Sequence, residues 1–198
     1  DSGTGTAPQL AVRDEFMKRR YDAFFHLGDM AYPTGSYDQL ERFFFAVYRD
    51  LLHAVPCYPV IGNHEYLTDF GQPYVDVYHL PATALRPADD ERYYSFDLGD
   101  VHVVALDSNP QMLLTVSDLV FDDMIDWLRA DLAASRATWK IALFHSTIPV
   151  ASPMKKMPAP AIGVVAILPA IRPHLSAIMI AIHVLRQVAA ALREAHKR

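Results

Sequence analysis

One cysteine, Cys57, is all the thiol the chain has, so no disulfide forms within it and no cysteine cluster holds a metal. A single thiol says nothing about compartment. There is no transmembrane segment: the longest uncharged runs reach roughly fifteen residues and hold prolines, short of the about 20 a span needs. There is no basic excess either. A net charge of −5 excludes a protein held on nucleic acid by a general positive field, although bound divalent cations would add charge that no sequence count includes. No internal repeat and no leader pattern are visible. The chain opens on a residue that looks like a ligand with no strand before it, as an N-terminally clipped fragment would.

What is present is a globular composition. The chain has 198 residues, 52% of them hydrophobic and 21% charged, enough for one domain with a sizeable core. The stretch Phe24–Tyr32 organises the rest: an apolar run stops at Gly28-Asp29, and Tyr32 follows three residues later. Tyr58–Ile61 runs likewise into Gly62-Asn63-His64-Glu65, Ile141–Phe144 into His145, and the chain begins Asp1-Ser2-Gly3. Short buried strands that end in an Asp, Asn or His deliver these side chains to one edge of a sheet, where open α/β folds keep their ligand crevices.

In order, the pattern predicts a helix over 8–20, a strand over 23–27, a loop to 36, a helix over 37–54 and a strand over 57–61. A long loop follows. Strands over 92–98 and 101–107 are joined by Gly99-Asp100, a hairpin signal; a helix over 117–134 and a strand over 139–144 complete the series. Strands alternating with helices through residue 145 favour a layered α/β domain with one antiparallel hairpin. Beyond about residue 151 the composition changes. Residues 151–198 hold one acid, Glu194, against seven Lys and Arg, and 174–197 reads as an amphipathic helix with Leu175, Ile178, Ile182 and Leu185 on one side. The domain reading is therefore 1–150 as the folded unit and 151–198 as an atypical Ala/Ile-rich basic tail. A tail that loses acids, strands and motif together would fit a shifted reading frame or a fused segment.

Asp1, Asp29, Tyr32, Asn63 and His145 combine carboxylate, phenol, amide oxygen and imidazole, a set suited to Fe, Mn or Zn. Asp29, central among them, is the natural bridge between two ions. Two metals would clamp a phosphoryl group and lower the pKa of a shared water, whose hydroxide could attack phosphorus in line. His64, beside a ligand, would contact the phosphate or protonate the leaving oxygen.

Asp1-x-Gly3, Gly28-Asp29-x-x-Tyr32, Gly62-Asn63-His64-Glu65 and the strand-terminal His145 resemble the calcineurin-like metallophosphoesterases, and the tyrosine after Gly-Asp is most similar to the purple acid phosphatase branch. Tyr93–Asp97, Val103–Asn109 and Trp127–Lys140 share the likeness, which covers about residues 1–150. The resemblance implies a four-layer αββα sandwich, here incomplete at both ends. It implies that Asp1, Asp29 and Tyr32 bind a first, usually ferric ion, that Asp29 is shared, that Asn63 and His145 bind a second (Fe, Zn or Mn), and that His64 is catalytic. It also implies hydrolysis of small phosphate monoesters, and it leans toward an exported protein. The family's last motif, Gly-His-x-His, is absent: no such pair follows His145, and His174, His183 and His196 are poorly spaced to replace it. Two competing functions follow, a phosphodiesterase or nuclease of the same superfamily and a catalytically impaired relic. A third, membrane association through the tail, has less to support it than a core-seeking helix with a basic side.

The remaining polar residues have structural readings. His26 is expected as a buried, hydrogen-bonded histidine, His53, His79 and His102 as structural, and Glu65 as a residue that orients its loop. Tyr66 and Tyr74 line the substrate opening or pack in the core. Asp107 and Asn109, at a strand end, support the site or make a turn.

Overall fold

A computed structural model describes residues 2–109, 118–145 and 164–169. The expected strands and helices form, with trimmed ends. Helix α1 (Ala7–Phe16) stops four residues short of the end expected at 20, because its last turn tightens into i→i−3 bonds from Lys18 N–H to Glu15 O (3.3 Å) and Arg19 N–H to Phe16 O (3.1 Å). Strand β1 (Phe24–His26) pairs in parallel with β2 (Cys57–Pro59). The helix expected over 37–54 is three pieces: α2 (Tyr37–Leu40), a π turn over Glu41–Phe45, and α3 (Arg49–Ala54). The π turn, marked by Ala46 N–H donating to Glu41 O at 2.8 Å, aims three consecutive phenylalanines differently: Phe43 against Gly5, Phe44 against His26 and Phe45 against Tyr78. The loop expected after β2 carries short 3-10 turns and α4 (Gln72–Val77), whose Pro73 in the first turn was the available sequence signal.

The second sheet runs β3 (Tyr94–Leu98), β4 (Val101–Leu106), β5 (Trp139–Phe144) and β6 (Val164–Pro169), antiparallel, parallel and antiparallel in turn. The sheet thus continues beyond residue 151, into a stretch with no strand-then-ligand signature in the sequence. The parallel step from β4 to β5 is bridged by α5 (Asp118–Ala134), as parallel pairing requires a crossover.

Period-2 alternation sorts the side chains of the central strands. Val103, Ala105 and Leu143 meet Val60, Tyr94 and the partly buried Phe25 and Tyr58 between the sheets, while Val104, Leu106, Ala142 and Phe144 pack under α5 against Met124, Trp127 and Leu128. A third cluster, with Leu40, Phe44, Leu51, Tyr74 and Tyr78, joins β1 and β2 to the helices on the far side. The order is helix, sheet, sheet, helix: the four-layer mixed α/β sandwich expected. Stacked rings of Tyr58 and Phe96, 4.0 Å between centroids, lock the two sheets face to face. Burial of each large apolar side chain in these clusters contributes about 1.5–3 kcal/mol. The helix expected over 174–197 and the ligand expected at Asp1 lie outside the described residues.

Candidate metal centre

The strands β1, β2 and β5 end side by side, and the residues just past their ends meet. His145, immediately after β5, places Nδ1 2.8 Å from Leu27 O. A carbonyl only accepts, so Nδ1 carries the proton and donates. This leaves Nε2 turned to Asn63 Oδ1 at 3.0 Å and Asp29 Oδ2 at 3.3 Å. A backbone carbonyl holding the outer nitrogen of a histidine is the arrangement that fixes a ligating imidazole. Asp29 and His145 are completely buried.

Three loops can approach so closely only because two positions lack a Cβ. At Gly28 a Cβ would stand 2.5 Å from His145 Nδ1 and 2.9 Å from Gly62 Cα, and at Gly62 it would stand 2.2 Å from the backbone nitrogen of Asp29. Gly28 takes φ +86°, and Asp29 follows at φ +54°, a costly conformation for a residue with a side chain that is maintained by its surroundings. Glu65 maintains it. Its Oε2 accepts the N–H groups of Asp29 and Gly62, both at 2.9 Å, and Oε1 accepts those of Met30 (2.8 Å) and Ala31 (3.3 Å). One buried carboxylate thereby ties the Asp29 loop to the Asn63 loop, the orienting role expected for it. Burial and the charge of Asp29 push its carboxyl up, against the pull of those N–H groups.

Asp29 accepts the His64 backbone N–H on Oδ1 (3.0 Å) and the Tyr32 hydroxyl on Oδ2 (2.9 Å). Burial alone would raise its pKa; hydrogen bonding and charge from His145, then these two donors, outweigh burial and hold it at about 2. Burial and the neighbouring carboxylate push the Tyr32 phenol up. His145 is raised on balance, because its bond to Asp29 and the aspartate charge outweigh burial. The His64 ring packs on Tyr32, 4.3 Å between centroids, and its Nδ1 lies 2.6 Å from Pro33 O. By the same argument Nδ1 donates there, and Nε2 is the nitrogen with chemistry left to do.

Of the expected site residues, Asp29, Tyr32, Asn63, His64 and His145 therefore come together. The donor chemistry fits a cation. When the imidazole is neutral its remaining proton is committed to Leu27, and Nε2 of His145 joins Oδ1 of Asn63 and Oδ2 of Asp29 as lone pairs in one small volume. Among the described residues no group of three or more His, Cys, Asp or Glu has metal-binding geometry; the third donor here is an amide oxygen.

The remaining polar residues take supporting or core places. Asn109 donates from Nδ2 to Ile61 O (3.1 Å), just before Gly62, which gives the strand-end Asn its supporting role. Tyr66 is buried and donates to Asp107, while Arg92 donates to the Tyr66 hydroxyl at 2.7 Å, so Tyr66 belongs to the core. Tyr74 is also core, donating to Pro59 O at 3.1 Å. His26 is buried as expected, bonded through Nε2 to Ser2 Oγ at 2.7 Å. His102 sits between Asp97 and Asp131, 2.7 Å from each.

Against known proteins, the family profile described as calcineurin-like phosphoesterase matches residues 6–168. Acid phosphatase type 7 of Homo sapiens is 24% identical over 141 residues, 68% of this chain and 31% of that protein. The chain spans less than a third of that relative's length.

Proposed function

The chain belongs to the calcineurin-like phosphoesterases, and from that premise we propose that it hydrolyses small phosphate monoesters with two metal ions, Fe paired with Fe, Zn or Mn. The observation that carries the proposal is that Asn63 Oδ1 and Asp29 Oδ2 lie 3.0 and 3.3 Å from His145 Nε2. Asn63 and His145 would hold one ion, Tyr32 and Asp1 the other, with Asp29 shared. When bound, the ions supply positive charge for the phosphoryl oxygens and acidify water.

The side chains of the protein do the rest. Leu27 O and Asn63 orient the His145 ring. Glu65 fixes the two loops, so the donors need no rearrangement when a ligand arrives. His64, held at Nδ1 by Pro33 O and flat against Tyr32, has Nε2 to contact the phosphate or to give a proton to the leaving oxygen. Tyr32 beside Asp29, the negative net charge and the likeness to an acid phosphatase support a monoester over a diester.

Metal analysis and phosphate release decide the matter. The chain loaded with Fe, Zn or Mn is expected to hydrolyse phenyl phosphate at least about tenfold faster than its diester counterpart. The reverse order would make it a phosphodiesterase. A catalytically impaired relic would hold less than one metal per chain and release no phosphate.

A further inference from the structure

Against the candidate metal centre lies a cavity of about 330 Å³ that the chemistry above does not use. Tyr32 forms part of its wall, with Ser2, Thr4, Gln9, Val12 and Tyr48. The ring that lines the cavity is the ring whose hydroxyl donates to Asp29, so the hollow and the ligand-bearing rim share one side chain.

Among the described residues no charged side chain lines this cavity, and several of its polar groups bond within the wall. Ser2 Oγ is bonded to His26 at 2.7 Å, and Thr4 and Thr6 share a bond at 2.8 Å. The Gln9 amide accepts Gly5 N–H at 2.6 Å and donates to Phe43 O at 2.7 Å. An anion entering here would lose water and find no cation among the described residues of the wall. An uncharged ring would find apolar atoms and the faces of aromatic side chains.

We propose that this cavity is a subsite for the uncharged, apolar part of a phosphate ester, an aryl or branched alkyl group, while the phosphate lies at the metal centre. The inference rests on the phosphoesterase reading of that centre. In the reaction the ester P–O bond breaks, water supplies the new P–O bond, and a proton ends on the leaving alcohol, which the cavity holds until release.

Val12 offers the test, since it stands in the wall at 51% exposure and can be changed without opening the core. 1-Naphthol titrated into the chain, followed by fluorescence, is expected to bind wild type and Val12→Ile alike and to bind Val12→Asp roughly tenfold more weakly. With the metal-loaded chain, kcat/KM for 1-naphthyl phosphate over glycerol 2-phosphate is expected to favour the aryl ester, and Val12→Asp to lower that ratio by about fivefold or more. Naphthol binding that is absent or indifferent to Val12, or a ratio that Val12→Asp leaves unchanged while both esters are hydrolysed, overturns the subsite. Val12-dependent naphthol binding with hydrolysis of neither ester supports the apolar subsite and overturns the phosphoesterase reading instead.

Discussion

Asp29 and Asp107 each follow the end of a strand, are each 1% exposed and each accept a tyrosine hydroxyl. Their surroundings part them. Asp107 is enclosed by donors: Tyr66 on one oxygen, and on the other the backbone N–H and side-chain amide of Asn109 at 3.2 and 2.9 Å. Arg92 completes the group through Tyr66. Asp29 accepts the Tyr32 hydroxyl and the His64 N–H, and its Oδ2 also lies 3.3 Å from His145 Nε2, which donates to it when the imidazole is protonated. Equal burial gives opposite outcomes, and the difference is the charge and hydrogen bond that His145 brings to Asp29. Burial pushes the Asp107 carboxyl up, whereas its partners hold Asp29 down at about 2. One carboxylate is closed by the protein's own protons; the other keeps an imidazole nitrogen beside it, with an amide oxygen 3.0 Å from that nitrogen.

Exchanging each carboxylate for its amide tests the distinction most strongly. Asp29→Asn is expected to abolish stoichiometric metal and to lower phosphate release by roughly 10²–10³-fold. Asp107→Asn keeps the metal and costs about tenfold, through a slackened Ile61–Asn63 segment. Metal analysis beside initial rates would break the comparison if the two variants lost metal equally.

Glu65 is the device that keeps the Asp29 loop in place, so its removal should act on stability before chemistry. Glu65→Ala leaves four buried N–H groups without their acceptor and is expected to cost about 3 kcal/mol or more. Urea unfolding of the metal-free chain measures this; a change below about 1 kcal/mol would show the loops to be held by other means.

The smallest effect is the most diagnostic, since the two aspartates should respond to pH with opposite signs. A carboxyl held below its unfolded value stabilises the fold above about pH 4, and that contribution is lost as pH falls through the folded pKa. Asp29 falls in this class, with up to about 2 kcal/mol at stake. A carboxyl pushed up contributes below its unfolded pKa and loses that contribution as pH rises, the class of Asp107. In the metal-free chain, the stability difference between wild type and Asp29→Asn should grow from pH 2.5 to pH 6. For Asp107→Asn it should shrink or reverse. Parallel slopes in urea titrations would remove the electrostatic contrast.

Much of this could be read along the chain. The hairpin around Gly99-Asp100 forms as its turn chemistry suggests, and the apolar runs 101–106 and 139–144 are adjacent buried strands. Gly28-Asp29, Gly62-Asn63 and His145 stand at strand ends as their patterns imply. Other features have no local signal. The π turn at 41–45 is chosen by where three phenylalanines find space. Residues 164–169 are an apolar, β-branched run with no ligand residue after it, and that they pair with β5 is decided by the partner strand. Asn109 supports Ile61 from 48 residues away, a distance no period reports.

The sequence by itself determined the layered α/β class, the strand ends and the kinds of atoms delivered there, since period and turn chemistry are local properties. Only the tertiary structure decided which of two equally buried strand-end aspartates keeps an imidazole nitrogen beside it and which is sealed by donors. That choice depends on groups brought together from positions 27 to 145, and electrostatic complementarity is a property of that assembly.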